Sequence, residues 1–285
     1  MGIDFGSMTG KAVILNDAME IVASCVVQKG AVSEEGVLQA IASALEDAGL
    51  TQDDIQCSVS TGYGRRLLEV ADRTITEITC HAKGSHYLFP ECRTVIDIGG
   101  QDSKVILVDS EGFVTQFSMN DRCAAGTGQF LDTLARVLEL DIDEIGALSL
   151  TSEKEVAISS MCTVFAETEV ISLLASGEAK SDILAGVHDA TTKRVVGMCQ
   201  RVGIRPPVAM TGGVSRNSGM VSALERNLSL PLELSEYSQV AGALGAALYA
   251  WEDAHGFEKV KDRDRLIEER RSSRLREAQG KSCSE

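Results

Sequence analysis

The chain has 285 residues, of which 44% are hydrophobic and 24% are charged, so it is long enough for one large domain or for two domains that share a cleft. The formal net charge of −15 argues against a nucleic-acid-binding surface, which needs clustered lysines and arginines. No apolar run reaches the roughly 18 residues of a membrane span, and the N-terminus begins with a strand pattern rather than a signal peptide. We therefore expect a cytoplasmic protein with neither nucleic acid nor a membrane as partner.

The chain begins with a pattern that returns near its middle. Asp4, Gly6 and Lys11 of the first copy match Asp97, Gly99 and Lys104 of the second. In both copies an apolar strand start precedes the acid, a β-rich run follows the lysine, and a polar turn leads into another strand. The repeat predicts two β-hairpins in two similar subdomains that face each other.

Apolar periodicity and capping signals predict helices and strands between and after the hairpins. The predicted helices are Ser33–Ala48, Gly126–Leu140, Thr163–Ala175, Ser181–Gly203 and one that begins within Val240–Leu248. The predicted strands are Gln56–Thr61, which enters the turn Gly62–Gly64, and Pro207–Met210, which enters the turn Thr211–Val214. This order predicts an α/β fold.

We predict two subdomains around a nucleotide cleft, residues 1–92 and 93–256, followed by a charged tail, residues 257–285. The tail carries slightly more basic than acidic side chains, although the whole chain is strongly acidic. It is either a solvated or frayed helix or a docking arm for an acidic partner.

The glycine-bearing turns of the two hairpins are predicted to form a phosphate clamp. Glycine has no Cβ, so the backbone N–H groups of Gly6, Gly99 and Gly100 can approach phosphate oxygens closely.

Polar side chains beside these turns are candidates for metal binding and catalysis. Asp4 and Asp97 would repel phosphate, and we expect them to hold Mg²⁺ through water, as hard oxygen ligands do. Ser7 and Thr9 supply hydroxyl groups. Gln101 is the candidate for positioning the attacking water.

The two hairpins, the turn Thr211–Val214 and the segment Gly242–Ala247 resemble the actin–Hsp70–sugar kinase superfamily, in which the hairpins bind phosphates and the late glycine turn binds adenosine. The resemblance implies an actin-like ATPase fold with ATP or ADP in the cleft. The further residues that it assigns to nucleotide binding are Lys11, Asp102, Gly126, Thr127, Gly128, Gly212, Gly213 and Gly242.

More specific segments lie between these motifs. They are STGYGR (60–65), EITCHAKG (77–84), VIDIGGQDSK (95–104), MNDRCAAGTGQF (119–130) and SSMCTVFAETEVISLLASG (159–177). Together they resemble the ATP-dependent activators of 2-hydroxyacyl-CoA dehydratases and the related ATPase subunits of benzoyl-CoA reductases, over about residues 1–250. In two respects the chain departs from this family: Met8 stands where threonine is more usual, which removes a hydroxyl, and the tail lies outside the resemblance.

The resemblance implies a homodimer with one [4Fe–4S] cluster at the subunit interface, held by two cysteines from each chain. Of the eight cysteines in the chain, Cys123 and Cys162 are the expected ligands. The residues support this independently, because each cysteine precedes a helical pattern, Cys162 with Thr163 as an apparent N-cap. Free N–H groups and partial positive charge at a helix N-terminus favour thiolates and stabilise an anionic cluster. On the sequence alone, two buried structural thiols remain the alternative.

The other cysteines are expected to have no metal role. The spacing of Cys80, His81, His86 and Cys92 matches none of the usual zinc patterns, and a strand end is the expected setting. Cys25, Cys57 and Cys199 lie in apolar runs typical of a core, Cys283 lies in the tail, and a disulfide framework is not expected.

The predicted function is ATP-dependent delivery of a low-potential electron to a 2-hydroxyacyl-CoA dehydratase, with reduced ferredoxin or flavodoxin as donor. ATP would close the clamp, and residues 126–128 would relay closure to the helices after Cys123 and Cys162. Two other partners fit the resemblance equally, a benzoyl-CoA-type reductase and a double-cubane reductase. The alternative classes are a small-metabolite kinase and a non-redox nucleotide switch, neither of which accounts for the two cysteines.

Overall fold

The computed structural model describes residues 1–28, 34–154, 156–159 and 162–256. The predicted tail 257–285 and the predicted helix start Ser33 lie outside these ranges. None of the helices in the described ranges combines the length and the apolar character needed to cross a bilayer.

The strands fall into two five-stranded groups. The first five are β1 (Gly2–Phe5), β2 (Thr9–Leu15), β3 (Ile21–Gln28), β4 (Val59–Thr61) and β5 (Arg73–Thr74). The second five are β6 (Thr94–Ile98), β7 (Ser103–Val108), β8 (Val114–Asn120), β9 (Val208–Thr211) and β10 (Leu232–Glu233).

The described residues form eight α-helices. They are α1 (Glu34–Ala48), α2 (Glu77–Leu88), α3 (Gly128–Val137), α4 (Ile145–Ser149), α5 (Thr163–Ala175), α6 (Lys180–Val202), α7 (Ser218–Leu228) and α8 (residues 241–256).

The two sheets have the same topology. The first has the order β3-β2-β1-β4-β5 and the second the order β8-β7-β6-β9-β10, so each has an antiparallel hairpin pair followed by parallel strands. Asp4 is the cross-strand partner of Lys11, and Asp97 is that of Lys104. The repeat seen in the sequence is therefore a structural repeat, in the same register.

Helices cover both faces of each sheet. In the first sheet, one face packs on α1 and the other packs on α8, largely through alanine and leucine side chains. In the second sheet, one face packs on α3, α5, α6 and α7, and the other packs on α2 through Ala82. Each sheet thus receives a helix from the other half of the chain. The linear boundary at residue 92 stays a prediction.

Helices α2 and α8 cross each other between the two sheets at a glycine contact. A methyl group at Gly84 would overlap the backbone carbonyl of Ala241, and one at Gly245 would overlap that of Cys80. This close approach is possible only without a Cβ. The crossing brings the central part of α2 next to the hairpin strands of both sheets.

Several predicted element boundaries are wrong by a few residues for identifiable reasons. Helix α3 begins at Gly128 rather than Gly126, because Gly126 has a φ of +89° and Thr127 is extended. Strand β4 lacks Gln56–Ser58, because the Ser58 N–H bonds the carboxylate of Asp72 at 2.7 Å instead of a strand. Helix α5 has the predicted bounds.

The expectation of a strand end around Cys80, His81, His86 and Cys92 is wrong. The first three lie on α2, and Cys92 lies in the loop before β6. The sequence of α2 lacks a clear apolar stripe because its buried face is built largely from small residues that fit the crossing with α8. Helices α4 and α7 were also not predicted.

A buried histidine ties α6 to α4 and α7. The side chain of His188 is 1% exposed, its Nδ1 lies 3.0 Å from the Ser149 hydroxyl, and its Nε2 lies 3.4 Å from the Asn217 amide nitrogen. Burial lowers the pKa of His188 from its ordinary 6.5 to about 4. The folded protein therefore keeps this imidazole neutral.

This burial predicts a loss of stability in mild acid. The unfolded chain binds a proton at His188 below about pH 6.5 whereas the folded protein does not, so the stabilisation is complete above that pH and is lost as the pH falls toward 4. The free energy of unfolding should fall by about 2 kcal/mol more in the wild type than in His188→Gln between about pH 7 and pH 5.

Urea unfolding followed by circular dichroism at the two pH values measures this difference. Ser149→Ala is the matched control, because it removes the neighbouring hydroxyl but keeps the buried imidazole and should keep the pH dependence. An identical pH dependence in the wild type and His188→Gln would contradict the assignment.

Candidate functional site

Two turns of the same geometry connect the strands of the two hairpins. In the first turn, residues 6–9, the N–H of Gly6 donates to the carbonyl of Thr9 at 3.1 Å. In the second turn, residues 99–102, the N–H of Gly99 donates to the carbonyl of Asp102 at 2.9 Å. Both turns thus have the same local hydrogen bond, at the same position relative to the repeated acid, glycine and lysine.

Each hairpin carries an acid–lysine pair directly behind its turn. The Lys11 ammonium lies 2.7 Å from the Asp4 carboxylate, and the Lys104 ammonium lies 3.2 Å from that of Asp97. Cross-strand neighbours on one face are close enough for such pairs to form. An acid and a lysine that are seven residues apart in the sequence therefore face each other across a short hairpin turn.

Asp97 is the more deeply buried of the two acids, with 1% of its surface exposed. Its Oδ1 accepts a hydrogen bond from the Thr211 hydroxyl at 2.8 Å and lies 3.2 Å from Nδ1 of His81. Burial works to raise the pKa of Asp97, yet His81, Lys104 and the bond from Thr211 hold it well below its usual range. The carboxylate therefore stays ionised at neutral pH.

Lys104 contacts two further acids. Its ammonium lies 2.8 Å from Asp102 and 3.3 Å from Glu77 of α2. Burial works to lower the pKa of Lys104, but Asp97, Asp102 and Glu77 together raise it above its ordinary value. Burial raises the pKa of Glu77, against the opposing effect of Lys104. Lys104 therefore joins the second hairpin to α2.

The two turns meet through Met8. A methyl group added to Gly100 would collide with the Met8 side chain, and the Gln101 amide nitrogen lies 3.7 Å from the Met8 sulfur. Gln101 is exposed, and its hydrogen-bond partner in the structure is this sulfur. Ser7 and Thr9 are half-buried in the first turn beside it.

Three other glycines border the acids. Gly62 has a φ of +90° and lies against the carboxylate of Asp4. Gly212 has a φ of +84° and packs on the carbonyl of Ile98. Gly242, at the start of α8, lies beside Asp4. The N–H of Gly212 donates to the carbonyl of Ser238 at 3.1 Å. Gly213 follows at the start of a 3₁₀ turn, Gly213–Arg216. The late glycine turn and α8 thus close around the ends of β1 and β6.

The loop of residues 121–127, here called the cysteine loop, is attached to the second turn at both ends. At its start, Asn120 is the cross-strand partner of Ser103, the first residue of β7. At its end, the N–H groups of Gly128 and Gln129 donate to the carbonyls of Gly99 and Gly100 at 2.9 and 2.8 Å. The second turn and the cysteine loop are therefore directly hydrogen-bonded to each other.

Asn120 also fixes the inside of the cysteine loop. Its amide nitrogen donates to the carbonyl of Cys123 at 2.8 Å and to that of Ala125 at 3.2 Å. Thr127 is fully buried, and its hydroxyl donates to the carbonyl of Ala124 at 2.6 Å. Gly126 packs against the side chain of Arg194 on α6.

The two candidate cysteines differ in their settings. Cys162 is exposed and is itself the N-cap residue of α5, so the expectation of Thr163 as N-cap is wrong by one residue. Cys123 is half-buried, and residues 124–127 separate it from α3. Helices α3 and α5 pack against each other. The effect of a helix N-terminus therefore applies directly to Cys162 and less directly to Cys123.

The structure brings together the acids, lysines and glycines of both turns with the glycines of residues 212 and 242. It places Gln101 on the outside of this group, in contact with Met8. Sequence reasoning did not identify His81, Thr211, Glu77 and Gly62 as neighbours of the two acids. Gly62 lies in the segment STGYGR, and Glu77 and His81 lie in the segment EITCHAKG. Because helix α2 was not predicted, the sequence did not indicate that the side chains of Glu77 and His81 point toward the acids.

A family model described as the BadF/BadG/BcrA/BcrD ATPase family matches residues 1–250. The (R)-2-hydroxyglutaryl-CoA dehydratase activating ATPase of Acidaminococcus fermentans is 49% identical over 89% of this chain and 97% of its own length. The 2-hydroxyisocaproyl-CoA dehydratase activator of Clostridioides difficile is 46% identical over 91% of this chain and 97% of its own.

Solved structures agree with this result. The activator of the 2-hydroxyisocaproyl-CoA dehydratase from Clostridium difficile with bound ADPNP matches at a TM-score of 0.87, with 45% identity over 92% of this chain and 96% of that one. The predicted α/β, actin-like ATPase fold is confirmed. The chain belongs to the BadF/BadG/BcrA/BcrD ATPase family.

Proposed function

We propose that this protein is an ATP-dependent one-electron transfer protein that activates a 2-hydroxyacyl-CoA dehydratase. The relatives described above are named as activators of 2-hydroxyacyl-CoA dehydratases, and they share close to half of their residues with this chain over nearly their whole lengths. The observation that carries the proposal is the attachment of the cysteine loop to the second turn through the N–H groups of Gly128 and Gln129. It links the place where phosphate would bind to a place where a thiolate would bind metal.

ATP or ADP would lie between the two turns and the late glycine turn. The N–H groups of Gly6 and Gly99 already donate to the carbonyls of Thr9 and Asp102, so these two glycines would shape the turns. The backbone at the tips of the turns, Gly100 included, would face the phosphate oxygens, with Ser7, Thr9 and Lys11 beside it. The adenosine would lie toward Gly212, Gly213 and Gly242. The solved structure of the activator from Clostridium difficile contains the bound nucleotide analogue ADPNP. Met8 would have to leave its contact with Gly100 to admit the phosphates.

Mg²⁺ would be held by Asp4 and Asp97 through water. Both carboxylates are nearly fully buried and already paired with a lysine, which leaves them suited to orienting bound water rather than to enclosing a bare ion. Mg²⁺ keeps several of its waters in most protein sites, which agrees with this arrangement.

A [4Fe–4S] cluster shared between two protomers would be held by Cys123 and Cys162 of each, and when bound it supplies a one-electron carrier of low potential. The residues fit the group: both thiols are free, and Cys162 is exposed at a helix N-terminus where N–H groups lack partners. In the described part of the chain no three histidine, cysteine or acidic side chains gather as a metal site. Two-fold symmetry would supply the missing thiolates.

Nucleotide binding would act on the thiol region through the cysteine loop. Closure of the turns on a γ-phosphate would displace Gly99 and Gly100, and the hydrogen bonds to α3 would pass this displacement to Cys123. Hydrolysis would release the turns. The physiological donor would be a small reduced carrier such as ferredoxin or flavodoxin, and the protein would act in the cytoplasm as a homodimer.

Replacement of Cys162 by serine tests the ligand assignment. We expect Cys162→Ser, purified without oxygen, to lose most of its iron and its brown colour, because a hydroxyl is a poor ligand for iron–sulfur clusters. ATP binding should persist, because Cys162 lies outside the group of acids and turns. Iron and acid-labile sulfide per chain, together with ADPNP titration, provide the measurement.

Cys25→Ser is the matched control, since Cys25 is a half-buried thiol on strand β3 of the other sheet. It should keep the wild-type iron content. Full iron content in Cys162→Ser would remove Cys162 from the ligand set.

Replacement of Asn120 tests the link between nucleotide and thiol. We expect Asn120→Ala to free the carbonyls of Cys123 and Ala125 and to lower the rate of dehydratase activation by about 10-fold, while ATP hydrolysis stays near the wild-type rate. Both rates are measured with the same anaerobic preparation. The control is Gln116→Ala, an exposed position on the same strand. Equal loss of both rates, or loss of neither, would contradict the relay.

A further inference from the structure

His81 of α2 reaches the centre of the nucleotide site. Its side chain is almost fully buried, with 7% of the residue exposed. Nδ1 lies 3.2 Å from Oδ1 of Asp97, yet it makes no hydrogen bond of regular geometry. Burying an imidazole nitrogen without a hydrogen-bond partner costs free energy. Its neighbours on the helix, Cys80 and Ala82, pack into apolar clusters instead.

The other edge of the imidazole faces the first hairpin. A methyl group built on Gly242 would lie 2.9 Å from Nε2 of His81 and 3.3 Å from Oδ2 of Asp4. The missing Cβ at position 242 therefore lets both the imidazole and the Asp4 carboxylate approach the backbone of α8 closely. His81 thus contacts the acid of one hairpin and packs on the same glycine as the acid of the other.

Gln101 does not occupy a comparable position. It is exposed at the tip of the second turn, and its amide lies against the sulfur of Met8. His81, by contrast, lies behind the turns and is held by a helix that crosses between the sheets. A side chain on a packed helix is fixed more rigidly than one at a turn tip.

We propose that His81 is a positioning residue for ATP hydrolysis, which holds the Asp97 carboxylate in place through the contact of Nδ1 with Oδ1 and packs, with Asp4, against Gly242. This inference rests on the ATP-hydrolysing function proposed above. In the reaction, the oxygen of water bonds to the γ-phosphorus while the bond to the β,γ-bridging oxygen breaks. The proton of the water passes to a phosphate oxygen, and ADP and phosphate are released, so no further reactant is required.

The test compares His81→Ala and His81→Asn with His86→Gln in the anaerobically purified full-length protein. His86 is the matched control because it is a histidine on the same helix that packs against Gly112, at the turn between β7 and β8. For each protein, kcat and KM for Mg·ATP hydrolysis, ADPNP affinity, iron content and the thermal midpoint are measured.

We expect His81→Ala to lower kcat by about 100-fold, with KM, ADPNP affinity and iron content close to the wild type, because the group acts on the reacting geometry rather than on binding. His81→Asn should recover part of kcat, since its amide nitrogen can take the place of Nδ1 beside Asp97. His86→Gln should retain wild-type kcat.

A wild-type kcat in His81→Ala would overturn the inference. The inference would also be overturned if His81→Ala and His81→Asn lost kcat equally and their thermal midpoints fell equally. Such a result would indicate a purely structural residue. An iron-loaded wild-type protein that binds ADPNP but hydrolyses no ATP would overturn the proposed function, and the inference with it. The two failures are thus distinguishable by the behaviour of the wild type.

Discussion

The ionised carboxylate of Asp97 is the constraint around which the centre of the protein is arranged. A charge buried to this degree is tolerated only when it is paired and hydrogen-bonded. Lys104 comes from the neighbouring strand, Thr211 from a strand that joins the sheet more than a hundred residues later, and His81 from α2. The acid thus requires both strands that flank β6 and the crossing helix to be in place at once.

The cysteine loop extends this central arrangement to the protein surface. The second turn carries Asp97 on one side, and its Gly99 and Gly100 carbonyls hold the start of α3 on the other. Because Asn120 is paired with β7 and also holds the carbonyl of Cys123, the loop has little freedom to move independently of the turn. This short, doubly attached loop would give a direct physical route between the proposed phosphate site and the Cys123 thiol, through backbone groups and the amide of Asn120.

Much of this arrangement was predictable from the sequence, because a hairpin leaves a local signal. The recurrence of acid, glycine and lysine at the same spacing predicted both turns, and the bounds of α5 followed from its periodicity. Helix α2 could not be predicted in the same way, since its pattern reflects the fit of Gly84 against Ala241, a residue far away in the sequence. For the same reason His81 and Thr211 were not recognised as neighbours of Asp97: tertiary pairing leaves no local trace.

The central claim is that nucleotide in the cleft is physically linked to an iron–sulfur centre at Cys123 and Cys162. The most direct measurement is the electron paramagnetic resonance spectrum of the anaerobically purified, one-electron-reduced protein during a titration with Mg·ADPNP. The account predicts a cluster signal whose line shape changes saturably, in step with nucleotide binding. The absence of any iron–sulfur signal, or a signal that stays unchanged when nucleotide binding is complete, would contradict it.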